Sequence, residues 1–242
     1  FISACTVWKG KGNKIEPLSV FPLQQINIGG IWTRVTRYVF KLSSGWPRGH
    51  SAGTIMAMAA MGDPERFFAD FYNMLTKDLN LASVRPPDQP PGCYDGNDPV
   101  HPYLGEWAEI AEKSEQNKFD IAAGLQAATE SFMRLLIADM LKKHKSKYLC
   151  LSGGVALNSV AVGKIRRWFP EIEDIYVTPT PHDGGLPIGA TQYVWHQILD
   201  NPRIQWENNY SPYLGCEYKN VKETLEEYGG KTQRQEANDD EV

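Results

Sequence analysis

Residues 148–158 read YLCLSGGVALN, and this stretch decides the fold. Its first four residues are apolar, as expected of a fully buried strand, and two glycines then lead into a helical pattern from Val155 to Phe169. The same order recurs where the apolar run 175–177 and the loop 178–185 precede a helical pattern from Leu186 to Leu199. Two successive strand–loop–helix units predict an α/β fold in which the two strands pair in parallel.

A long helical pattern precedes this centre and runs from Phe119 to His144. Apolar residues recur along one side of it at helical spacing, namely Ile121, Leu125, Ala128, Phe132, Leu135 and Leu136. At the start of the chain, Ile2–Trp8 and Ile15–Leu23 are rich in β-forming residues. The segment 9–14 between them contains Gly and Asn, which accept positive φ, so a β-hairpin is predicted.

The remaining segments predict helices that are separated by breakers. Helical patterns cover Ile31–Leu42, Ile55–Met61 and Pro64–Leu81. A breaker cluster at 43–47 follows the first of them, and a proline- and glycine-rich stretch at 84–105 forms either a mobile lid or a surface excursion. The polar, acidic end at 233–242 is expected to fray.

Charge and composition exclude several classes of function. The 242-residue chain has a net charge of −4 and a pI near 5.8, which argue against a nucleic-acid surface as its main role. It has no apolar run of about 18 residues, so no membrane span is predicted. The cysteines lack ligand-like spacing, which favours a reducing cytoplasm over a disulfide scaffold or a zinc site; they are Cys5, Cys93, Cys150 and Cys216.

The loop after the first apolar strand has the features of a phosphate site. Gly153 and Gly154 let a backbone pass close to a ligand, and the start of the following helix offers unpaired N–H groups. Asn158 is placed one turn into that helix, where its amide could bond a ribose or the edge of a base. In the alternative interpretation, the glycines only form a tight turn and Asn158 faces water.

The loop after the second strand carries a carboxylate. Asp183 could hold a metal ion or a metal-bound water, but position alone favours a role as the cap of the next helix. His182 is interpreted as a surface residue. Because ligands bind at the carboxyl ends of the strands in open α/β sheets, the two adjacent loops can share one site.

Three blocks of sequence at and before these loops resemble the carbamoyltransferase family of nodulation proteins and of enzymes that carbamoylate antibiotics. The blocks keep the order and spacing of the family, and they are FDIAAGLQ at 119–126, CLSGGVALNS at 150–159 and DGGLPIGA at 183–190. Weaker similarity lies at 53–62 and 211–215. The resemblance therefore extends over most of residues 15–216.

The resemblance implies an actin-like ATPase fold, which is shared with actin, sugar kinases and the tRNA threonylcarbamoylation proteins. Residues 1–216 would then form the C-terminal lobe of that fold in incomplete form, a mixed sheet with flanking helices, and residues 217–242 a polar C-terminal extension. The N-terminal lobe and the C-terminal adenylate-forming domain of the family have no counterpart in the sequence. The chain is therefore expected to be a fragment that is inactive by itself.

The resemblance also implies the chemistry. Family members make carbamoyl-adenylate from carbamoyl phosphate and ATP, and the actin-like domain passes the carbamoyl group to a hydroxyl of a small molecule, with a metal ion at the site. Asp183 would then bind a divalent metal, iron or manganese. The nucleotide, ATP or carbamoyl-adenylate, would contact Gly153, Gly154, Val155, Asn158, Gly184 and Gly185.

Three positions depart from the pattern of the family. Thr54 stands where the family has lysine, Ala57 replaces a glycine, and Val162 occupies the place of an asparagine. Thr54 and Val162 motivate an alternative hypothesis, a divergent module that binds a nucleotide and transfers nothing. A third hypothesis, a sugar or acetate kinase type of phosphotransferase lobe, shares the fold class but fits the 153–158 motif poorly.

Overall fold

Helices outweigh strands in the computed structural model, which describes residues 3–22, 26–42, 51–76, 102–203 and 220–228. The chain divides into two units, residues 1–204 and residues 205–242. In the second unit, the described residues form a helix from Val221 to Tyr228. The predicted α/β class is confirmed in its coarse form, with a larger helical share than the sequence indicates.

The β-hairpin predicted at the start of the chain is present. Strands β1 (Ser3–Lys11) and β2 (Lys14–Pro22) pair antiparallel. The connection needs only Gly12 and Asn13, and Gly12 takes the positive φ of 57° that a tight hairpin turn requires. The first strand is therefore longer, and the connection is shorter, than predicted.

Between the hairpin and residue 145, the described residues form the helices α1 (Ile28–Arg34), α2 (Ala52–Met58), α3 (Glu65–Thr76), α4 (Pro102–Lys113) and α5 (Glu115–His144). A π-helical turn, Val35–Val39, extends α1, and a 3-10 turn, Ala59–Met61, extends α2. The predicted helices are confirmed over their described residues, except that the first ends at Val39 and not at Leu42, because Lys41 takes a positive φ of 55°. Helix α4 is not predicted, because residues 102–105 are assigned above to the long loop.

The main hydrophobic cluster lies where α1, α3 and α4 pack against the first half of α5. Helical spacing places Ile31, Val35 and Val39 on one side of α1 and its π-helical turn, and all three are buried. Of the apolar side predicted for α5, Ile121, Leu125 and Ala128 are buried, and Phe132 packs half-buried against the cluster. Leu135, predicted on the same side, is 53% exposed, because the buried side moves to Met133 and Ile137 as α5 passes from this cluster to the next.

A buried carboxylate in the second turn of α5 binds the start of α3 and the segment before it. Asp120 accepts hydrogen bonds from the backbone N–H of Asp63 at 2.9 Å, from Gln116 at 2.8 Å and from Arg66 at 3.0 Å. Burial acts to raise the pKa of Asp120, but these hydrogen bonds and the positive charge of Arg66 outweigh it and hold the pKa below its ordinary value. The ionised form of this carboxyl therefore belongs to the folded structure.

Strands β3 (Tyr148–Leu151) and β4 (Asp174–Val177) pair in parallel, as predicted. Leu149 and Leu151 pack on a second hydrophobic cluster, which is formed by Ile137, Ile165, Phe169 and Ile172. The prediction that both strands are fully buried is wrong. In the described part of the chain, helices cover one face of the pair only, so exposed and half-buried residues alternate along each strand.

The strands also do not form a single mixed sheet among the described residues. The antiparallel pair β1–β2 and the parallel pair β3–β4 are separate two-stranded sheets. The hairpin instead contacts the end of the last helix of its unit, where Gln197 accepts from the backbone N–H of Ile15 at 2.7 Å and donates to the carbonyl oxygen of Ile15 at 3.2 Å.

Each strand of the parallel pair leads into a helix. Helix α6 (Ser159–Trp168) follows β3 after a 3-10 turn, Gly154–Leu157, so the helix predicted from Val155 is interrupted at Asn158. Helix α7 (Leu186–Gln192) follows β4 and continues as a π-helical turn, Tyr193–Ile198, which confirms the helix predicted there.

Several predictions lie outside the described residues, namely those at 43–47, 77–81, 84–101, 211–215 and 233–242. Among the described helices, none is both long and apolar enough to cross a membrane.

Candidate functional site

The loop after β3 turns sharply at Gly153. This residue has a φ of 96° and a ψ of 160°, a combination that is essentially restricted to glycine. A Cβ built on Gly153 or on Gly154 would meet no atom within 4 Å. The side chain of Val155, in contrast, packs against the main cluster. The backbone at Gly153 and Gly154 therefore borders open space, while Val155 anchors the loop to the core.

The loop after β4 is shaped by close packing. His182 caps the 3-10 turn Asp183–Gly185, because its Nδ1 accepts the backbone N–H of Gly184 at 3.1 Å. A Cβ on Gly185 would overlap the carbonyl oxygen of Thr180, and a Cβ on Gly184 would lie 2.8 Å from the imidazole of His182. Packing within the loop thus accounts for Gly185 independently of any ligand, whereas a side chain at Gly184 would only displace the exposed imidazole of His182.

The cap predicted at Asp183 is wrong, because the capping side chain is that of His182 and α7 begins after Gly185 without a side-chain cap. The carboxylate of Asp183 is exposed and makes no hydrogen bond or ion pair with a described residue. Metal ions need several ligands, and the described part of the chain contains no group of three His, Cys, Asp or Glu residues that could supply them. The described residues therefore do not by themselves fit the metal ion that the resemblance implies.

The two loops are joined by their main chains. The backbone N–H of Gly153 donates to the carbonyl oxygen of Pro181 at 2.5 Å, and the hydroxyl of Ser152 donates to the same oxygen at 3.4 Å. Both loops leave the carboxyl ends of β3 and β4, which are parallel neighbours. The prediction that the loops lie side by side is therefore confirmed.

Asn158 is the N-cap of α6 and not a residue one turn inside a helix. Its Oδ1 accepts the backbone N–H of Ala161 at 3.0 Å. Its side-chain amide also exchanges two hydrogen bonds with that of Gln126 on α5, at 2.9 and 3.1 Å. The alternative in which Asn158 simply faces water is therefore wrong, since the residue is half-buried and fixed from two sides.

Three polar residues behind Asn158 are not predicted from the sequence. Gln126 donates to Glu130 at 2.9 Å, and both carboxylate oxygens of Glu130 accept from Lys164 at 2.7 Å. The four-residue spacing of Gln126 and Glu130 places them on one face of α5, which is a signal that the sequence does contain. Their partners on α6 depend on tertiary packing, which the sequence does not display.

The positions that depart from the family pattern lie on two helices. Thr54 and Ala57 are exposed on α2. Val162 lies on α6 and packs against the second hydrophobic cluster. The valine at this position therefore has a packing role.

Comparison with known proteins decides the family of the chain. The family described as "Carbamoyltransferase N-terminus" matches residues 2–192, which is most of the chain. The chain belongs to the carbamoyltransferase N-terminus family. The matched region contains α5 and both loops, so the site described above lies wholly within the carbamoyltransferase N-terminus region.

Three similar proteins were found. An uncharacterized protein of Synechocystis is 30% identical over 233 residues, which cover 92% of this chain and 36% of that protein. Nodulation protein NolNO of Sinorhizobium fredii is 27% identical, over 91% of this chain and 30% of that protein. Nodulation protein NolO of Bradyrhizobium diazoefficiens is 28% identical, over 86% of this chain and 36% of that protein. This carbamoyltransferase N-terminus chain thus spans about a third of the length of these relatives.

Proposed function

We propose that this chain is the nucleotide-binding lobe, of the actin-like ATPase type, of an enzyme that transfers a carbamoyl group to a hydroxyl of a small molecule. The donor is carbamoyl-adenylate, which another part of the protein makes from carbamoyl phosphate and ATP. One observation carries the proposal: the family match across residues 2–192 includes a glycine loop that borders open space at Gly153 and Gly154.

The glycine loop suits the phosphate part of a nucleotide. Neither Gly153 nor Gly154 has a side chain to keep a ligand away, and the backbone N–H groups of Gly154 and Val155 have no hydrogen-bond partner among the described residues. Such N–H groups are favourable donors to phosphate oxygens. Asn158 follows one turn later and offers an amide to the nucleoside part.

The transfer step moves negative charge onto the phosphate of the leaving group. A C–O bond forms between the acceptor hydroxyl oxygen and the carbamoyl carbon while the C–O bond to AMP breaks, and the hydroxyl proton passes to water. Backbone N–H groups of the glycine loop stabilise the charge that develops on the AMP oxygen. The two loops supply one carboxylate, that of Asp183, and the described residues contain no complete metal site, so this step rests on the backbone N–H groups alone.

The test of the transferase is release of AMP from ATP by the full-length gene product. The proposal predicts that AMP release requires carbamoyl phosphate and that a small-molecule hydroxyl becomes carbamoylated. Gly154→Trp should abolish AMP release, because the indole fills the open space beside the loop. Gly163→Trp is the matched control, because Gly163 is exposed on α6 with no atom within 4 Å of its Cβ position. AMP release that persists in Gly154→Trp would contradict the assigned site.

A nucleotide-binding module without transferase activity is the second candidate, and Val162 favours it because an apolar packing residue stands where the family has asparagine. This candidate predicts that the full-length gene product binds ATP but releases neither AMP nor a carbamoylated product. A kinase would instead form ADP with a sugar or carboxylate and would not need carbamoyl phosphate.

The role of Asp183 has its own test. Asp183 could supply only one ligand to a metal ion whose other ligands lie outside the described residues. If it does, calorimetric titration of ATP into the full-length gene product, with and without Fe²⁺ or Mn²⁺, should show metal-dependent binding that Asp183→Ala removes. Metal dependence that survives this substitution would exclude Asp183 as a ligand.

A further inference from the structure

The side-chain amides of Asn158 and Gln126 form a reciprocal pair. Asn158 Nδ2 donates to Gln126 Oε1 at 2.9 Å, and Gln126 Nε2 donates to Asn158 Oδ1 at 3.1 Å. Gln126 is only 5% exposed, so water does not readily replace its partners. The pair links α5 to the start of α6.

The orientation of the two amide groups is set by two neighbours, one of which can only donate a hydrogen bond and the other only accept one. The backbone N–H of Ala161 can only donate, so it requires the oxygen of Asn158, at 3.0 Å. The carboxylate of Glu130 can only accept, so it requires the NH₂ group of Gln126, at 2.9 Å. If either amide rotated by half a turn, two donors or two acceptors would face each other. The orientation of Asn158 is therefore determined by Glu130 as well as by its own cap.

Lys164 holds Glu130 in place. Its ammonium group lies 2.7 Å from each carboxylate oxygen of Glu130, and the side chain of Glu130 is only 14% exposed. Within the described residues, this arrangement uses one N–H of the Asn158 amide and leaves the second N–H without a partner.

We propose that Glu130 is a positioning residue: acting through Gln126, it fixes the Asn158 amide so that its second N–H donates to the nucleoside part of a bound nucleotide. This inference rests on the proposed function, since it requires a nucleotide at the Gly153–Gly154 loop. The inference assigns different parts of the nucleotide to different groups. The glycine backbone binds phosphate, and the hydrogen-bonded series Glu130–Gln126–Asn158 recognises the ribose or base.

The experiment compares ATP with tripolyphosphate, which has the phosphates but no nucleoside. Both are titrated into the full-length gene product and its Glu130→Gln variant. The introduced amide has a single oxygen for two donors, Gln126 and Lys164. The amides of Gln126 and Asn158 are therefore no longer held in one orientation. ATP binding should weaken about three- to tenfold, the worth of one hydrogen bond, while tripolyphosphate binding stays unchanged. 2′-Deoxy-ATP then separates a contact to the ribose 2′-hydroxyl from a contact to the base.

Asp139→Asn is the matched control, because it makes the same chemical change on the same helix, where Asp139 forms an exposed ion pair with Lys143 at 2.6 Å. It should leave both affinities unchanged. A rescue variant tests orientation directly. In Glu130→Gln combined with Lys164→Glu, the new carboxylate accepts from the NH₂ of the introduced amide and turns the oxygen of that amide back towards Gln126, so ATP affinity should recover.

Equal weakening of ATP and tripolyphosphate, or no loss of ATP affinity, would overturn the inference and leave the proposed function standing. If the unaltered protein binds neither probe, the proposed function fails instead. The orientation is then judged by hydrogen exchange of the Gln126 and Asn158 side-chain amides, measured by NMR. Faster exchange of these amide hydrogens in Glu130→Gln supports the claim that Glu130 fixes the orientation of the pair, and unchanged exchange overturns that claim.

Discussion

The backbone N–H of Gly153 lies 2.5 Å from the carbonyl oxygen of Pro181, so main-chain atoms fasten the two loops of the site to each other. The hydrogen bond depends on the unusual backbone of Gly153, whose φ of 96° turns the chain at the end of β3. Side chains contribute only the longer contact from Ser152, at 3.4 Å, among the described residues. The relative placement of the loops is therefore controlled by backbone conformation.

Gly153→Ala should destabilise the chain, because a Cβ is strained at this φ and ψ even where space is open. The expected loss in the free energy of unfolding is about 1–3 kcal/mol, measured by urea denaturation. Gly154→Ala is the control, since it adds the same methyl group at a neighbouring residue without positive φ and should change stability much less. Equal effects of the two substitutions would refute the argument from strain.

Gly185→Ala should also destabilise the chain, but by overlap with the carbonyl oxygen of Thr180. The loop must shift to accept the methyl group, at an expected cost of about 1–3 kcal/mol. Gly189→Ala on α7 meets no atom within 4 Å and should stabilise that helix by up to about 1 kcal/mol. Thermal unfolding should move the melting temperatures of the two variants in opposite directions.

Asp120→Asn should reduce stability at neutral pH, because one carboxylate oxygen becomes an NH₂ group that faces a donor, either Arg66 or Gln116, and the negative charge beside Arg66 is lost. The expected loss is about 1.5–3 kcal/mol, as for hydrogen bonds to a charged group. The folded-state pKa lies below the unfolded value, so the carboxylate stabilises the fold above about pH 4, and this contribution disappears as the pH falls through the folded-state pKa.

Urea unfolding from pH 7 to pH 3 should therefore show the difference between Asp120→Asn and the unaltered chain shrinking as the pH falls. Asp70→Asn, on the exposed side of α3, is the control and should have little effect at any pH. A difference for Asp120→Asn that is constant with pH would argue against the ionised form as the source of the stabilisation.

Asn158→Ala should cost more than the loss of an ordinary helix cap. Removal of the cap costs about 1 kcal/mol, and the buried Gln126 loses two hydrogen bonds at the same time. Ser114→Ala, which removes the exposed cap of α5, provides the comparison. Urea denaturation should give a larger loss for Asn158→Ala, and equal losses would mean that the pairing with Gln126 contributes no stability.

Much of the fold could be predicted because local patterns dominate it. Helical spacing of Ile31, Val35 and Val39 identifies the apolar side of α1, and the two strand–loop–helix units identify the parallel pair. Exposure could not be predicted in the same way. The run Tyr148–Leu151 is apolar throughout, yet whether one face or two are covered depends on distant helices, and here Leu149 packs while Tyr148 is 65% exposed.

The site was predictable in place but not in its contacts. The sequence shows two loops at the ends of neighbouring strands, and Gly153 and Pro181 do meet. It does not show that His182 takes the capping role in place of Asp183, because a 3-10 turn that already begins at Asp183 leaves the N-cap position to the preceding residue. The pairing of Asn158 with Gln126 joins residues on two different helices, and helical spacing within one helix cannot reveal it.

Helix α5 contributes to both hydrophobic clusters of its unit, with Leu125 in the first and Ile137 in the second. Its 30 residues correspond to a rod about 45 Å long. If either cluster is disrupted, apolar residues of α5 become exposed and the helix loses part of its support. The two clusters should therefore unfold cooperatively, in one thermal transition. A substitution that disrupts the packing around β3 and β4 should therefore also lower the temperature at which the helices around α1 unfold.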